Sequence, residues 1–363
     1  MQISKLKLST ALILTFIGKV SSFQIGPLLS TCVDACQRGC IEIRNVQAKR
    51  EASPTNSLQV EFKDGLDPRS ALTEADGLAH KVIVESLLAE WGSELKIVSE
   101  EEEDIDPNTI SSDGSSHVPL KRDLFDDDIG ETPDIDPSEI TIFLDPLDGT
   151  REFVEGRLEN CQVLVGIAIG GEAVAGAIGI PFPNGTLDTE PTIVYGLSDV
   201  GSGVIGATLT RGPYPLDRHI DGIKYPRPHH ATGDSTSEVM EACRKGAIKR
   251  LRGSTVIYGG AGNKILAAAL GEVLCSIQHK VGGPWDLCAP EAVLKAMGGK
   301  MTDLFGQEIE IYKTNAPRRC NERGYIASAP GADDDGIFHQ ALANHFLVSP
   351  VVQKYKDDVM NTN

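Results

Sequence analysis

Two carboxylates stand three residues apart in Asp145-Pro146-Leu147-Asp148-Gly149-Thr150, the stretch of this chain best suited to chemistry. Aspartate oxygens are hard ligands of the kind that hold magnesium. Pro146 fixes the backbone between the acids, and Gly149 permits a tight turn after them. Thr150-Arg151-Glu152-Phe153-Val154 then reads as a short helix whose free N–H groups point back toward the acids. A cation site beside a helix N-terminus suits a metal-bound phosphate. Alone, the hexapeptide is equally an aspartate capping an ordinary strand-to-helix turn, so partners must come from elsewhere.

Three stretches offer such partners. The pattern from Arg69 to Glu90 predicts a helix with Ala71, Ala75, Leu78, Ala79, Val82, Ile83 and Leu87 on its buried side. Asp76 lies among them, either at the solvent edge or directed into a site. A strand from Leu95 to Val98 precedes the acidic run Glu100-Glu101-Glu102-Glu103-Asp104. Most of such a run is solvated, but its first glutamate can face a central site. Asp286, in Trp285-Asp286-Leu287-Cys288-Ala289-Pro290-Glu291, opens a helix that runs through Met297 to Gly298-Gly299, as its cap or as a further ligand. Converging carboxylates repel one another and take up protons unless cations lie between them.

Two glycine-rich stretches invite phosphate readings. Gly201, Gly203 and Gly206 fit G-x-G-x-x-G, but the β-prone Ala207-Thr208-Leu209-Thr210 and then Gly212-Pro213 follow, so strands fit better than a dinucleotide site. In Gly259-Gly260-Ala261-Gly262-Asn263-Lys264, Ile265 stands where a Walker motif needs Ser or Thr. That stretch is a glycine-rich turn opening a helix from Lys264 to Leu270, as an anion contact or as a plain turn.

The elements that must position these residues are legible in outline. The apolar run Ile140 to Leu144 predicts a buried strand that delivers the acidic pair. Strands from Cys161 to Ile169 and Val174 to Ile180 join at Gly170-Gly171 as a hairpin. Pro181, Pro183 and Gly185 mark a boundary between a metal-binding domain over 23–183 and a second domain over 184–346. The latter includes a strand from Val273 to Gln278, a strand from Gly324 to Ala329 and a helix from Asp334 to Phe346. Residues 105–139, rich in Asp, Ser and Pro, read as a mobile acidic insertion, and the tail over 347–363 as polar and frayed. Cys32, Cys36 and Cys40 share one face of a helix from Pro27 to Ala48. Without a C-x2-C knuckle they read as core residues, with pairing to Cys161, Cys243, Cys275, Cys288 or Cys320 left open.

A chain of 363 residues holds one large or two medium domains, and its net charge of −18 argues against a nucleic-acid polymer as partner. In residues 1–22, Lys5 and Lys7 precede the apolar run Leu8 to Ile17, and Val20-Ser21-Ser22 offers a cleavage site. This predicts a cleaved signal and the secretory lumen, with a cytoplasmic protein bearing an N-terminal extension or first core helix as the alternative. No later stretch is long and apolar enough to span a membrane.

Glu100-Glu101 after a strand, the hexapeptide at 145–150, and Trp285-Asp286 before a helix ending in Gly298-Gly299 together resemble the inositol monophosphatase superfamily of lithium-sensitive, magnesium-dependent phosphatases. The resemblance covers about 27–346, and Gly259 to Lys264 with Cys288-Ala289-Pro290-Glu291 resembles its 3'(2'),5'-bisphosphate nucleotidase branch. It implies an alternating α/β/α/β/α sandwich and two or three Mg2+ ions, held by Glu100, Asp145, Asp148, Asp286 and the Leu147 carbonyl. Asp76 and Thr150 would activate the attacking water, the Gly149 and Thr150 amides would meet the phosphate, and Thr232, Ser235, Gly260 and Lys264 would touch the nucleotide. The implied reaction removes the 3'-phosphate of adenosine 3',5'-bisphosphate or its sulfated form. An inositol polyphosphate 1-phosphatase, or a silent magnesium- and phosphate-binding protein, are the alternatives; binding alone would need neither Asp76 nor Thr150. One segment departs from the branch. Thr232-Gly233-Asp234-Ser235 lacks the Arg and His of a Ser-Arg-Ser-His or Thr-Arg-Ser-His segment, and Asp234 brings a negative charge toward an anionic substrate.

Overall fold

The computed structural model describes residues 23–53, 60–62, 71–101, 118–125, 134–206, 229–280, 282–313, 320–332 and 337–361. The signal-like segment, Glu102 to Asp104 and Ala207 to Pro213 lie outside these described residues. Strand β1 (Phe23–Gln24) leads into α1 (Ile25–Ala52), and the pair β2 (Val60–Phe62) and β3 (Ala71–Thr73) leads into α2 (Glu74–Trp91). There follow β4 (Lys96–Ser99), β5 (Asp134–Ile135), β6 (Ile140–Asp148), the short helix α3 (Thr150–Glu155), β7 (Gln162–Ile169), β8 (Glu172–Ile180), β9 (Thr192–Leu197) and β10 (Gly201–Gly206). Six of these strands form a sheet in the order β10-β9-β8-β7-β6-β4, with only β4 and β6 parallel.

The second half runs β11 (His230–Thr232), α4 (Glu238–Leu251), β12 (Thr255–Ile257), α5 (Ala261–Ala269), β13 (Cys275–Gln278), α6 (Cys288–Ala296), β14 (Lys300–Thr302), β15 (Tyr325–Ser328), α7 (Ile337–Leu347) and α8 (Pro350–Asn361). Its five-stranded sheet has the order β12-β11-β13-β15-β14. β12 and β13 both run parallel to β11, and β15 is antiparallel to β13 and β14.

Apolar faces stack these elements in five layers. α1 and α2 cover one face of the six-stranded sheet, burying Leu28, Leu29, Ile43, Ile83 and Leu87 against Ile140, Ile142 and Val165. α5 and α6 fill the space between the sheets with Ile265, Leu266, Ala289, Val293 and Leu294. α4, α7 and α8 close the far side over Cys275, Ile277 and Ile326. The result is the alternating α/β/α/β/α sandwich expected from the sequence.

Three glycines set the spacing of the middle layer. Gly166, Gly176 and Gly196 lie side by side in register on β7, β8 and β9, under α6. A Cβ on Gly176 would sit 2.7 Å from the Ala289 Cα, one on Gly166 2.6 Å from the Ala289 nitrogen, and one on Gly196 2.7 Å from the Ala296 Cβ. The absent side chains let the helix backbone approach the sheet closely.

The structure changes several expectations. α2 starts at Glu74, not Arg69, because Thr73 and Asp76 form a capping box there. The first sheet does not end at Pro181–Gly185: β9 and β10 continue it, and Gly201 to Gly206 is an antiparallel edge strand. Within 105–139, most of which is not described, Leu120 and Phe125 are buried and β5 pairs with β1, so the described parts dock on the core. The tail beyond Pro350 is helical: Val352 and Val359, two turns apart, are buried, and the Tyr355 hydroxyl lies within hydrogen-bond distance of the carbonyls of His279 and Glu322, able to donate to either. All eight cysteines are free, and all but Cys320 are buried.

Candidate active site

Asp145 and Asp148 differ by an odd number of positions, which in a regular strand would send them to opposite faces. The pairing of β6 with β7 shifts between them, Asp145 opposite Leu164 and Asp148 opposite Gln162. Pro146 has no N–H to give to a ladder, so a bulge falls there and re-aims the second acid. Asp286 completes the group. Single carboxylate oxygens of Asp145, Asp148 and Asp286 all lie within 4.8 Å of one another.

Local bonds orient each acid. Asp145 Oδ1 accepts from the Leu147 amide at 3.0 Å. Asp148 accepts from the Ala261 and Gly262 amides, at 2.9 and 2.8 Å, and so caps α5 across the layers. Asp286 Oδ2 accepts from the Gly283 amide at 2.7 Å. It therefore caps its own turn and also joins the cluster, which dissolves the choice left open by the sequence. Glu100 follows β4, its amide bonded to the Leu144 carbonyl at 2.9 Å, and its side chain is half-buried.

The cluster is electrostatically unfinished. Burial first, then the charges of Glu100, Asp148, Asp286 and Asp76, hold Asp145 well above the usual carboxylate range. Burial and the charges of Glu100 and Asp148 do the same to Asp286. Burial also raises Asp148, although Lys264 and the two amides of α5 oppose it. Each carboxylate oxygen keeps lone-pair capacity beyond the bonds above, and an all-oxygen donor set fits magnesium.

Beside the cluster sits a relay of buried Asp76 and half-buried Thr150. Thr150 Oγ1 lies 2.9 Å from Asp76 Oδ1 and 3.0 Å from the Leu147 carbonyl oxygen, able to donate to either. The other Asp76 oxygen accepts from the Thr73 amide at 2.8 Å and the Thr73 hydroxyl at 2.6 Å. Burial pushes Asp76 up to about 7 against these bonds. Gly149, at φ 89°, starts α3 directly after Asp148.

The second-half residues arrive from one edge. Because β11, β12 and β13 run parallel, the loops after them, which carry Asp234, Gly260 and Asp286, leave the same end of the sheet. Gly260 has φ 71°, and a Cβ there would lie 2.8 Å from Asp148 Oδ2. Lys264 is buried, its amine donating to the Gly260 carbonyl at 2.5 Å. Burial lowers its pKa, opposed by Asp148, Asp286, Asp234 and Glu152. Thr232 is also buried: its hydroxyl donates to the Gly233 carbonyl at 3.0 Å and accepts from Arg244 Nε at 3.1 Å. Ser235, half-buried, accepts from the Ser237 amide at 3.4 Å. Asp234 is paired with Arg151 at 2.8 Å, so its charge does not stand alone beside the site.

Sequence reasoning missed four contributors. Thr73 was legible as the first residue of a T-x-x-D capping box. The site roles of Arg151, Arg244 and Glu152 carry no local signal, because the contacts that define them, with Asp234, Gly233 and Gly259, are set by the fold. Arg244 Nη2 donates to the Gly233 carbonyl at 2.6 Å, and Glu152 receives Arg157 through Nε and Nη2 at 2.5 and 2.8 Å.

Comparison with known proteins agrees with this geometry. The pattern of the Inositol monophosphatase family matches residues 30–346. Human 3'(2'),5'-bisphosphate nucleotidase 1 is 32% identical over 268 residues, 72% of this chain and 80% of that protein. The Dictyostelium discoideum protein of the same name is 30% identical over 307 residues, 82% of this chain and 91% of that protein. Among solved structures, extragenic suppressor protein suhB from Bartonella henselae shares the fold, with a TM-score of 0.59 at 17% identity over 88% of this chain and 98% of that one. With a family match across both sheets and an acidic cluster built from both halves, the chain belongs to the inositol monophosphatase family.

Proposed function

We propose that this chain is a magnesium-dependent, lithium-sensitive phosphomonoesterase that removes the 3'-phosphate of adenosine 3',5'-bisphosphate, or of its sulfated form. The observation that carries the reading is the meeting of Asp145, Asp148 and Asp286 beside the pair formed by buried Asp76 and half-buried Thr150. The nucleotide assignment is supported by the relatives named as bisphosphate nucleotidases. Magnesium held by these three acids, with Glu100 and the Leu147 carbonyl, would polarise the phosphate and lower the pKa of water.

The remaining work falls to the protein's own groups. Thr150 Oγ1 takes a proton from the attacking water as its own proton passes to Asp76 Oδ1. The hydroxide oxygen bonds to phosphorus, the bond from phosphorus to the 3'-oxygen breaks, and that oxygen leaves with the electron pair and is protonated by water. No thiol takes part. Cys161, whose Sγ lies 3.8 Å from the Gly149 carbonyl oxygen, is buried and stays protonated because burial raises its pKa.

The test is phosphate release from adenosine 3',5'-bisphosphate and inositol 1,4-bisphosphate, each with magnesium or EDTA. Magnesium-dependent release from the nucleotide, inhibited by lithium, is expected. Release from the inositol compound alone would transfer the assignment to an inositol phosphatase, and reaction in 18O water should place one labelled oxygen in the phosphate.

A further inference from the structure

We propose that the C-terminal helix α8 is a strap that fixes the place of a metal ligand, with Tyr355 as the positioning residue and Asp286 as the group it acts on. This rests on the phosphomonoesterase reading only in taking Asp286 as a ligand. The family pattern ends at residue 346, and α8 lies beyond it, at Pro350–Asn361. Its apolar side seats it firmly. Val352 is buried in the core that it shares with Cys275 and Ile277 of β13 and Ile326 of β15, and the half-buried Tyr355 ring packs near Phe305 and His279.

That seat brings the Tyr355 hydroxyl between two loops. It lies 2.9 Å from the His279 carbonyl oxygen and within hydrogen-bond distance of the Glu322 carbonyl oxygen, so its one proton serves either. His279 opens the loop from β13 to Asp286, and Glu322 lies in the loop before β15. The two loops already touch through their backbones: the Asn321 amide donates to the Gly282 carbonyl at 2.9 Å, and a Cβ on Gly324 would lie 2.2 Å from the Gln278 carbonyl oxygen. What the first loop carries is the ligand. The Gly283 amide donates to Asp286 Oδ2 at 2.7 Å, and a Cβ on Gly282 would lie 2.5 Å from the same oxygen. A path of direct contacts thus runs from α8 to the carboxylate.

Repulsion is what the strap opposes. Without a cation Asp286 faces the charges of Glu100 and Asp148, and the Gly282-Gly283 pair gives its loop little stiffness of its own. A loop that relaxes away from the cluster must be drawn back when magnesium enters, which weakens binding.

Tyr355→Phe keeps the ring and removes the hydroxyl. Calorimetry should show magnesium bound about fivefold more weakly, the worth of one hydrogen bond. Phosphate release should need correspondingly more magnesium for half-saturation, with kcat and substrate KM at saturating magnesium unchanged. Val352→Ala is the comparison, because it opens a cavity under the same helix and keeps the hydroxyl. It should lower stability and leave magnesium affinity at the wild-type value. Hydrogen exchange of the EDTA-treated protein reads the loop without metal or turnover: residues 279–287 should exchange severalfold faster in Tyr355→Phe, with β6 unchanged. Wild-type magnesium affinity in Tyr355→Phe, or equal weakening by both variants, would overturn the strap. If the wild-type chain binds no magnesium, the metal reading fails, and exchange over 279–287 still decides the positioning: a wild-type rate in Tyr355→Phe would overturn it.

Discussion

Asp145 and Asp148 converge through a bulge at Pro146, Asp286 joins them from the other half, and Asp76 stands beside them with Thr150. Asp145→Asn should cut phosphatase activity by about a hundredfold or more and abolish magnesium-induced thermal stabilisation while the EDTA-treated protein stays folded. A variant that still binds magnesium by calorimetry like wild type would remove Asp145 from the ligand set. Thr150→Val keeps the shape and deletes the relay hydroxyl, so kcat should fall about 10² to 10⁴-fold with magnesium affinity preserved. An unchanged kcat would dismiss the relay. Asp145 and Asp148 were legible because a proline-fixed acidic pair after an apolar run has few other uses, but their convergence depends on a bulge that the sequence does not display. Asp286 and Asp76 were ambiguous for a physical reason: each caps a local turn and also reaches the site, so its local environment hides its second role. Asp234 misled in the other direction, since its partner Arg151 is 83 positions away.

Periodicity located α1, the β7–β8 hairpin and the helix opened by Asp286, because long apolar patterns and glycine turns are local signals. It missed the start of α2, where a cap overrides the hydrophobic pattern, and it missed α8, whose two buried valines sit in a polar sequence. The glycine trio under α6 was invisible as well, since register across three strands is a tertiary fact. It has a sharp consequence. Gly176→Val places two further methyl groups against the Ala289 backbone, which should cost about 1–3 kcal/mol by overpacking. It should also weaken magnesium binding by moving α6 and, with it, Asp286. Chemical denaturation and calorimetry measure the two effects, and a variant of wild-type stability would mean that α6 does not rest on this trough.

At the scale of the whole molecule, the five-layer stacking joins two sheets through one acidic cluster, and the pH response of the metal-free protein should report it. Asp145, Asp148 and Asp286 are raised from the ordinary aspartate value of 3.8. The folded state therefore holds protons that the unfolded chain has released, and their stabilising contribution is lost as pH rises from about 4 through the folded pKa values. In EDTA, wild type should lose stability relative to Asp145→Asn as the pH rises above the ordinary aspartate value of 3.8, and magnesium should restore more at the higher pH. A difference that grows in favour of wild type with rising pH would contradict the repulsive cluster. The most direct measurement of the central claim is phosphate release from adenosine 3',5'-bisphosphate by the EDTA-stripped chain as magnesium is titrated back. The account predicts no release without the metal and saturable recovery with it; release undiminished in EDTA, or absent at every magnesium concentration, would contradict it.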